Sequence, residues 1–583
     1  MTHFGAMLLA TVLWANIHWL PLLMQLGWAS SAFILWLNLQ REHEKARQIL
    51  LWASLLSLTF PVLFFTSDFI FIKALGRSLD FPRDLFISWG LRFAGGILAI
   101  LAWLRFAQPG VNQVLDRMKV GTKLERNTKT DVREIEKFLP KAVVFDPLKF
   151  VNQEKGLFLG LDEQKKPIYI GWPSDKSAPN IQAVGTTGGG KGAALGVMAA
   201  QFLERGEAVF FLDPKDDEWA PHVLCHIAQQ THKPFHFINL NRPAGPQFNP
   251  FLGATEEEAF ELFQAGFSLT EKGDASDFYG IADRREAQAT SKLMAAENLN
   301  IAQAYAARLD ILNDPKIGAE KFAGRLRELA ETPSINASSG GIDLAKVVEE
   351  GGCVYVVGSM RNDIVKTVQR VLLVRLIQLA ERRDRIGGNL RPVCIVLDEV
   401  KYHLSRPALE GLGAARDKGV HIVLAHQSLG DLRDCTKDLN PDAVVDAVVE
   451  NCAVKICYRV MNPVTAEWLA GMSGEIQADD EMRKVKRNIA QAEIVLGERN
   501  IRQVERYFID TNMLLNLPKG VAVVYGAGLA KFVTIRHLPV PKSREAVQIH
   551  VVEGTEPFEA ENAIDVPDNK SKFNSPAAAA IDI

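Results

Sequence analysis

The glycine-rich stretch GTTGGGKGAALG, residues 185–196, constrains the fold more than any other part of the sequence. It follows the apolar run IQAV and precedes the helix-forming run AALGVMAAQFLERG. Glycines let several backbone N–H groups point at one phosphate, and the N-terminus of the following helix adds partial positive charge. This order of strand, loop and helix predicts an α/β fold that binds a nucleoside triphosphate.

The loop departs from the usual pattern at one position. A standard loop, G-x-x-x-x-G-K-[ST], ends in a hydroxyl that ligates magnesium, but here Gly192 follows Lys191. Lys191 is predicted to reach the β- and γ-phosphates, and an extra water could replace the hydroxyl because Mg²⁺ readily keeps several waters. The residues that we predict to bind the nucleotide are Gly185, Thr186, Thr187, Gly188, Gly189, Gly190, Lys191, Gly192 and Ala193.

A second apolar run, VCIVLDEV, ends in two acids, Asp398 and Glu399. Hydrolysis of a nucleoside triphosphate needs a carboxylate that holds magnesium and a group that orients the attacking water. We predict that Asp398 binds the metal and that Glu399 orients the water. A strand that ends in solvated acids is common by itself, so the assignment depends on the glycine loop upstream.

Two further polar residues are candidates for the same site. Gln427 ends the apolar run HIVLAHQ and could sense the γ-phosphate, or could be an ordinary strand terminus. Arg416 precedes that run. It could be a solvated helix charge, or it could reach a neighbouring subunit's phosphate as an arginine finger, because its guanidinium presents a fixed fork to phosphate oxygens.

Short apolar strands alternate with helices after residue 180, which predicts a parallel sheet covered on both faces. The alternating runs of 156–172 predict a hairpin. Residues 255–338 show helical periodicity with almost no strand signal, and Thr255 with Glu258 predicts a capping box at their start. The composition adds less: the net charge of -3 argues against a strongly basic nucleic-acid coat, and the six cysteines form no CxxC pair.

The N-terminal residues are much more apolar than the rest. No Asp, Glu, Lys or Arg occurs between His3 and Arg41, and apolar runs follow over Gln48–Ser67 and Leu85–Trp103. These lengths predict three or four membrane spans within residues 1–110. The basic residues between the runs place the large C-terminal region in the cytoplasm.

These motifs together resemble the VirD4/TraD-type (TraG-like) coupling proteins of conjugation and type IV secretion. The resemblance covers roughly residues 155–530. It is carried by GTTGGGKGAALG, by FFLDPKDD, by FNPF, by VLDEV and by GAARDKGVHIVLAHQSLGDL. Many members of the family carry GKG, so Gly192 is a family variant. The chain departs from the family at Asp216, which stands where a glycine often follows the DPK lysine.

The resemblance implies an α/β, RecA-like P-loop NTPase domain with an inserted all-α domain, preceded by N-terminal transmembrane helices. The implied layout is transmembrane helices at 1–110, a connector at 111–154, the RecA-like domain at 155–254 and 339–540, the all-α insertion at 255–338, and a variable tail at 541–583. The composition of this tail, which is poor in aromatic residues and rich in Glu and Asp, predicts that it is disordered.

The implied activity is ATP hydrolysis with Mg²⁺ in a ring, a hexamer, that is anchored in the bacterial inner membrane by several spans. Its partners would be single-stranded DNA with its relaxase and the components of a type IV secretion channel. DNA would be contacted through its phosphates by Lys and Arg. Two alternatives remain: an FtsK-type translocase of double-stranded DNA, whose winged-helix reader is not recognisable here, and a membrane receptor with an inactive nucleotide site.

Overall fold

The computed structural model describes residues 101–107, 135–173, 180–242, 244–271, 277–384, 390–487 and 493–552, with a few isolated positions before 135 and without the side chains of 104, 414–416 and 481–501. The predicted membrane spans within 1–110 lie almost entirely outside these residues. Within the described residues, no helix has both the length and the apolar character needed to cross a membrane.

The chain divides into two compact units, residues 1–127 with 477–505 and residues 128–476 with 506–583. The described part of the first unit is chiefly a two-stranded sheet, and the second unit contains an eleven-stranded sheet with its surrounding helices. All residues of the predicted nucleotide site that the structure describes belong to the second unit.

The large sheet has the strand order β2-β1-β13-β12-β9-β3-β8-β7-β4-β6-β5. Its seven strands from β9 to β5 run parallel, and β12, β13, β1 and β2 extend it with antiparallel pairs. The strands are β1 Leu157–Leu161, β2 Pro167–Ile170, β3 Asn180–Val184, β4 Ala208–Asp213, β5 Phe235–Asn239, β6 Gly352–Val357, β7 Val393–Leu397, β8 Val420–His426, β9 Cys452–Cys457, β10 Glu475–Arg487, β11 Glu493–Tyr507, β12 Val521–Tyr525 and β13 Lys531–Thr534, with β10 and β11 forming the small sheet.

The parallel strands that the sequence predicts are present, and the α/β class is confirmed. Every residue of β3, β4, β6, β7 and β8 is buried, as expected for strands that are covered on both faces. The sequence did not predict the antiparallel extension, although it predicted the β1–β2 hairpin. Leu161 of β1 pairs with Thr534 of β13, and no local pattern specifies so distant a partner.

The helices cover both faces of the sheet. They are α1 Lys191–Glu204, α2 Ala220–Gln230, α3 Glu256–Phe267, α4 Ile281–Glu297, α5 Ile301–Ala307, α6 Leu309–Leu312, α7 Glu320–Ala330, α8 Leu344–Glu350, α9 Asp363–Glu381, α10 Arg406–Ala414, α11 Leu429–Arg433, α12 Pro441–Asn451, α13 Pro463–Met472 and α14 Thr511–Leu515.

Residues 255–338 form the predicted helices α3 to α7. The predicted capping box is present: Thr255 Oγ1 accepts a hydrogen bond from the Glu258 N–H, and Glu258 Oε2 accepts one from the Thr255 N–H. These helices do not have a core of their own, because Phe263 and Phe322 belong to the same hydrophobic cluster as Phe210 in β4. The helical block is therefore packed into the main fold. This differs from the separate inserted domain that the resemblance implies.

The predicted disordered tail begins too early. Residues 541–552 follow the surface of the sheet unit with defined contacts: the Ser543 N–H donates to His222 Nδ1 at 3.0 Å, and the Val552 N–H donates to the Pro246 carbonyl at 2.9 Å. The prediction was wrong for these twelve residues because local composition gives no information on contacts with distant parts of the chain. Residues 553–583 lie outside the described part.

Candidate nucleotide site

The glycine loop connects the end of β3 to the start of α1, as the sequence predicts. Gly185 and Gly190 have φ angles of +148° and +130°, which favour glycine. A Cβ atom on either of them would come within 2.7 Å of the buried Tyr458 side chain. Tyr458 follows β9 and packs under the loop, so these two glycines are needed for the close approach. Nothing in the sequence indicated this tyrosine.

Lys191 is folded back onto its own loop. Its ammonium donates hydrogen bonds to the carbonyls of Gly185 and Thr186, the latter at 3.2 Å, and the residue is 5% exposed. Burial lowers the pKa of Lys191, and the charge of Lys215 lowers it further, whereas Glu399 and Asp398 raise it. The lysine is thus held at the loop where phosphates would bind.

The other loop residues differ in exposure. Thr187, Gly188 and Gly192 are exposed, whereas Gly189 and Ala193 are buried. Thr187, Gly188 and Gly192 therefore form the part of the loop that a ligand can reach from solvent. The side chain of Ala193 packs into the fold, so only its backbone is available to a ligand.

The two acids that follow β7 converge on one lysine. Lys215 Nζ lies 3.2 Å from Asp398 Oδ2 and 2.5 Å from Glu399 Oε1. Gln427, which follows β8, donates from Nε2 to Glu399 Oε1 at 3.0 Å. The structure therefore brings Asp398, Glu399 and Gln427 together at the carboxyl edge of the parallel strands, close to the glycine loop that follows β3.

The environment shifts the pKa values of the two carboxyl groups in opposite directions. Burial raises the pKa of Asp398, with Lys215 opposing. Burial also acts to raise the pKa of Glu399, but the bonds from Lys215 and Gln427 outweigh it, and the net shift is downward. Burial acts to lower the pKa of Lys215, and the two acids raise it overall. Glu399 is thereby kept as a carboxylate that can accept hydrogen bonds.

The DPKDD segment sets the position of Lys215. Asp213 Oδ1 accepts from the Lys215 N–H at 2.8 Å, and Asp213 Oδ2 accepts from the Asp217 N–H and the Tyr355 hydroxyl at 2.6 Å each. Burial raises the pKa of Asp213 to about 6. Asp216 has a φ of +59°, which Asp tolerates and glycine adopts freely. The turn is therefore compatible with aspartate in the place of the family's glycine.

The role of Lys215 was missed at the sequence level. Lys215 belongs to the DPK motif that contributes to the family resemblance, but the motif does not indicate which groups its ammonium contacts. The pairing depends on β4 and β7 being neighbours in the sheet.

Comparisons with known proteins agree with the resemblance. The family model described as the TraM recognition site of TraD and TraG matches residues 392–519. Mobilization protein A of Escherichia coli is 29% identical over 443 residues, which cover 74% of this chain and 80% of that protein. The chain is thus similar to the TraD/TraG-type coupling proteins. It also shares its fold with a solved structure, the unbound bacterial conjugative coupling protein TrwBdeltaN70, at a TM-score of 0.51 and 15% identity over 72% of this chain and 97% of that one.

His426, at the end of β8, fixes the strand from which Gln427 projects. Its Nδ1 lies 2.9 Å from the Ser428 carbonyl and its Nε2 lies 2.7 Å from Gln182 Nε2. Because a carbonyl only accepts, Nδ1–H donates to Ser428 and Nε2 accepts from Gln182. Burial lowers the pKa of His426 to about 4, so the imidazole is neutral at physiological pH.

This histidine predicts a dependence of the protein's stability on pH. The folded pKa of about 4 lies below the unfolded value of 6.5, so the unfolded state binds more protons between these values. The contribution of neutral His426 to the free energy of unfolding is fully present above pH 6.5. It is lost as the pH falls towards 4, by about 1.4 kcal/mol per pH unit and up to about 3 kcal/mol in total. Urea unfolding of the detergent-solubilised chain at pH 7, 6 and 5 measures this loss.

His426→Gln should reduce the dependence, whereas His537→Gln, which changes an exposed histidine, should preserve it. Equal pH dependence in the wild type and in His426→Gln would contradict the assignment.

The structure does not bring Arg416 to the acids. Its backbone lies in the 3₁₀ segment Ala415–Lys418, which ends two residues before Val420, the first residue of β8. That position is at the amino edge of the parallel strands, whereas Gln427 and the glycine loop are at the carboxyl edge. The backbone of Arg416 therefore lies at the edge of the sheet opposite the acids of its own subunit, so an arginine finger at this position would act on a neighbour.

Proposed function

We propose that this protein is a coupling protein of the TraD/TraG type, an ATPase that couples relaxase-bound single-stranded DNA to a type IV secretion channel and drives its transfer. The observation that carries the proposal is the meeting of the Lys191 loop with Asp398, Glu399 and Gln427 at one edge of the sheet. The similarity to a mobilization protein and to the model for a TraM recognition site supports the role in DNA transfer.

The residues have distinct roles in the proposed reaction. The backbone of the glycine loop binds the phosphates of ATP, and Lys191 leaves its own carbonyls to contact the β- and γ-phosphates. Glu399 accepts a hydrogen bond from the attacking water and orients it. Gln427 is bonded to Glu399, so a change at the γ-phosphate can reach β8 through a single hydrogen bond.

The donor set fits Mg²⁺. Among the described residues, no group of three His, Cys, Asp or Glu side chains converges to hold a metal. In sites of this kind Mg²⁺ takes one or two carboxylates and obtains its other ligands from phosphates and water. Asp398 would hold it. When bound, the metal would neutralise negative charge on the phosphates. In the structure, Lys215 offsets the negative charge of Asp398.

The remaining assignments are parts of the same proposal. The protein would be anchored in the bacterial inner membrane through residues 1–110, with the ATPase region in the cytoplasm, and would act as a hexamer. Single-stranded DNA would be held mainly through its phosphates, so its binding should weaken as salt increases. The region that matches the TraM-recognition model, residues 392–519, contains β7 and β8. Contact with a relaxosome component there would lie close in sequence to Glu399 and Gln427.

Lys191→Ala tests this function. Removing the ammonium should reduce ATP hydrolysis at least about 100-fold, because charge-stabilising donors contribute that much in comparable sites. DNA transfer between cells should be lost, while the amount of protein in the membrane fraction should be unchanged. Lys149→Ala removes an exposed lysine of the same chain and serves as the control.

Hydrolysis at the wild-type rate in Lys191→Ala would show that the nucleotide site lies elsewhere. If the wild type binds ATP but does not hydrolyse it, the protein is the receptor with an inactive site.

A further inference from the structure

The loop position that normally supplies a hydroxyl faces a carboxylate. Gly192 is exposed, and a Cβ atom placed on it would have Asp217 Oδ2 as its one neighbour within 4 Å, at 3.4 Å. A serine or threonine hydroxyl is one bond away from that Cβ position. Asp217 Oδ2 therefore lies beside the region in which the missing hydroxyl would stand.

Asp217 is held in this orientation by three hydrogen bonds. Its Oδ1 accepts from the N–H groups of Trp219 and Ala220, at 2.8 Å each, at the start of α2. Its own N–H donates to Asp213 Oδ2 at 2.6 Å. One carboxylate oxygen accepts hydrogen bonds from the N–H groups of Trp219 and Ala220, so the other is directed towards Gly192 without a large cost in side-chain entropy.

We infer that Asp217 Oδ2 replaces the absent hydroxyl as an oxygen ligand of the Mg²⁺ that accompanies ATP, directly or through one water. This inference rests on the proposed ATPase function. Carboxylate oxygens are hard ligands that Mg²⁺ prefers. Asp217 would contact the metal beside Gly192 at the start of α1, and Asp398 would contact it from the end of β7.

The exchange of a hydroxyl for a carboxylate has a measurable electrostatic consequence. A hydroxyl is neutral, whereas Asp217 adds a negative charge beside the phosphates. Without Mg²⁺ this charge repels the nucleotide, and with Mg²⁺ it attracts the metal complex. Nucleotide affinity in the wild type should therefore depend on Mg²⁺ more strongly than it does without the carboxylate.

Asp217→Asn separates the metal role from the hydrogen bonds that hold the turn before α2. The asparagine side chain keeps an oxygen that can accept from the N–H groups of Trp219 and Ala220, so the turn should persist while the charge is lost. Asp216→Asn is the matched control, because it removes the same charge from the neighbouring exposed residue and asparagine tolerates its positive φ. Thermal melting of both variants should match the wild type.

The experiment titrates MgCl₂ against the full-length protein in detergent and measures the affinity for a fluorescent ADP analogue, so that hydrolysis is not involved. In Asp217→Asn, the increase in affinity caused by Mg²⁺ should fall by about 10–100-fold, the usual effect of losing a metal-site partner. Asp216→Asn should behave as the wild type. Gly192→Ser introduced into Asp217→Asn should restore part of the effect, because its Cβ has room at 3.4 Å from residue 217.

The inference is overturned if Asp217→Asn keeps the wild-type response to Mg²⁺, or if Asp216→Asn loses as much of it. A wild type that binds no nucleotide at any Mg²⁺ concentration would instead overturn the proposed ATPase function. The two failures are therefore distinguishable.

Discussion

Glu399→Gln is expected to bind ATP with nearly wild-type affinity and to hydrolyse it about 10²–10⁴-fold more slowly, the usual contribution of a group that handles a proton in the transition state. The substitution keeps an oxygen that can accept from Lys215 and Gln427, so the local packing should persist. It removes the negative charge that orients and polarises the attacking water. Single-turnover hydrolysis and fluorescent-nucleotide binding, measured on the same preparation, separate the two effects.

Glu410→Gln is the matched control for this prediction. Glu410 lies on α10, its side chain is 72% exposed, and its only ion pair is with the half-exposed Arg406 among the described contacts. Exposed pairs of this kind contribute little to stability. Glu410→Gln should hydrolyse ATP normally. A Glu399→Gln protein that also hydrolyses normally would remove Glu399 from the water-orienting role.

Arg416→Ala is expected to lower ATP hydrolysis in the assembled protein by about 10³–10⁵-fold, which is the contribution of an arginine finger. Nucleotide affinity should change little, because the finger acts on charge that develops in the transition state. The placement of Ala415–Lys418 at the amino edge of the sheet requires that such a finger serve a neighbouring subunit. Turnover and affinity are measured under conditions in which the oligomer is present.

Mixing two inactive variants tests the action in trans. Arg416→Ala has an intact loop, and Lys191→Ala has an intact arginine. In a mixed oligomer some interfaces combine the two intact groups, so part of the activity should return. Arg433→Ala, which removes an arginine whose side chain is 49% exposed from α11, serves as the control and should remain active. Normal hydrolysis by Arg416→Ala would make this residue an ordinary surface charge.

The glycine loop, the acidic end of β7 and the capping box of α3 could all be predicted, because each follows from residues within one short segment. A loop rich in glycine between an apolar strand and a helix has few other conformations. Thr255 and Glu258 satisfy each other's backbone groups across three residues. The family resemblance added roles for these groups that spacing alone does not supply.

Other features of the site depend on which strands are neighbours. Lys215 lies 183 residues from Asp398, and their contact requires β4 to lie next to β7. Tyr458 lies under the glycine loop because β9 pairs with β3. The tail residues 541–552 were misjudged for the same reason, since His222 and Pro246 are their partners only in the folded chain.

The sequence by itself determined the α/β class, the glycine loop between β3 and α1 and the acids at the end of β7, because these depend on local backbone preference and on the alternation of apolar strands with helices. Only the tertiary structure decided that one lysine serves both acids, that Asp217 faces Gly192 and that Arg416 lies at the opposite edge of the sheet. The physical reason is that ionisation, side-chain pairing and access to a ligand depend on burial and on neighbours across the sheet. Residues a few positions away in the chain do not fix either of these.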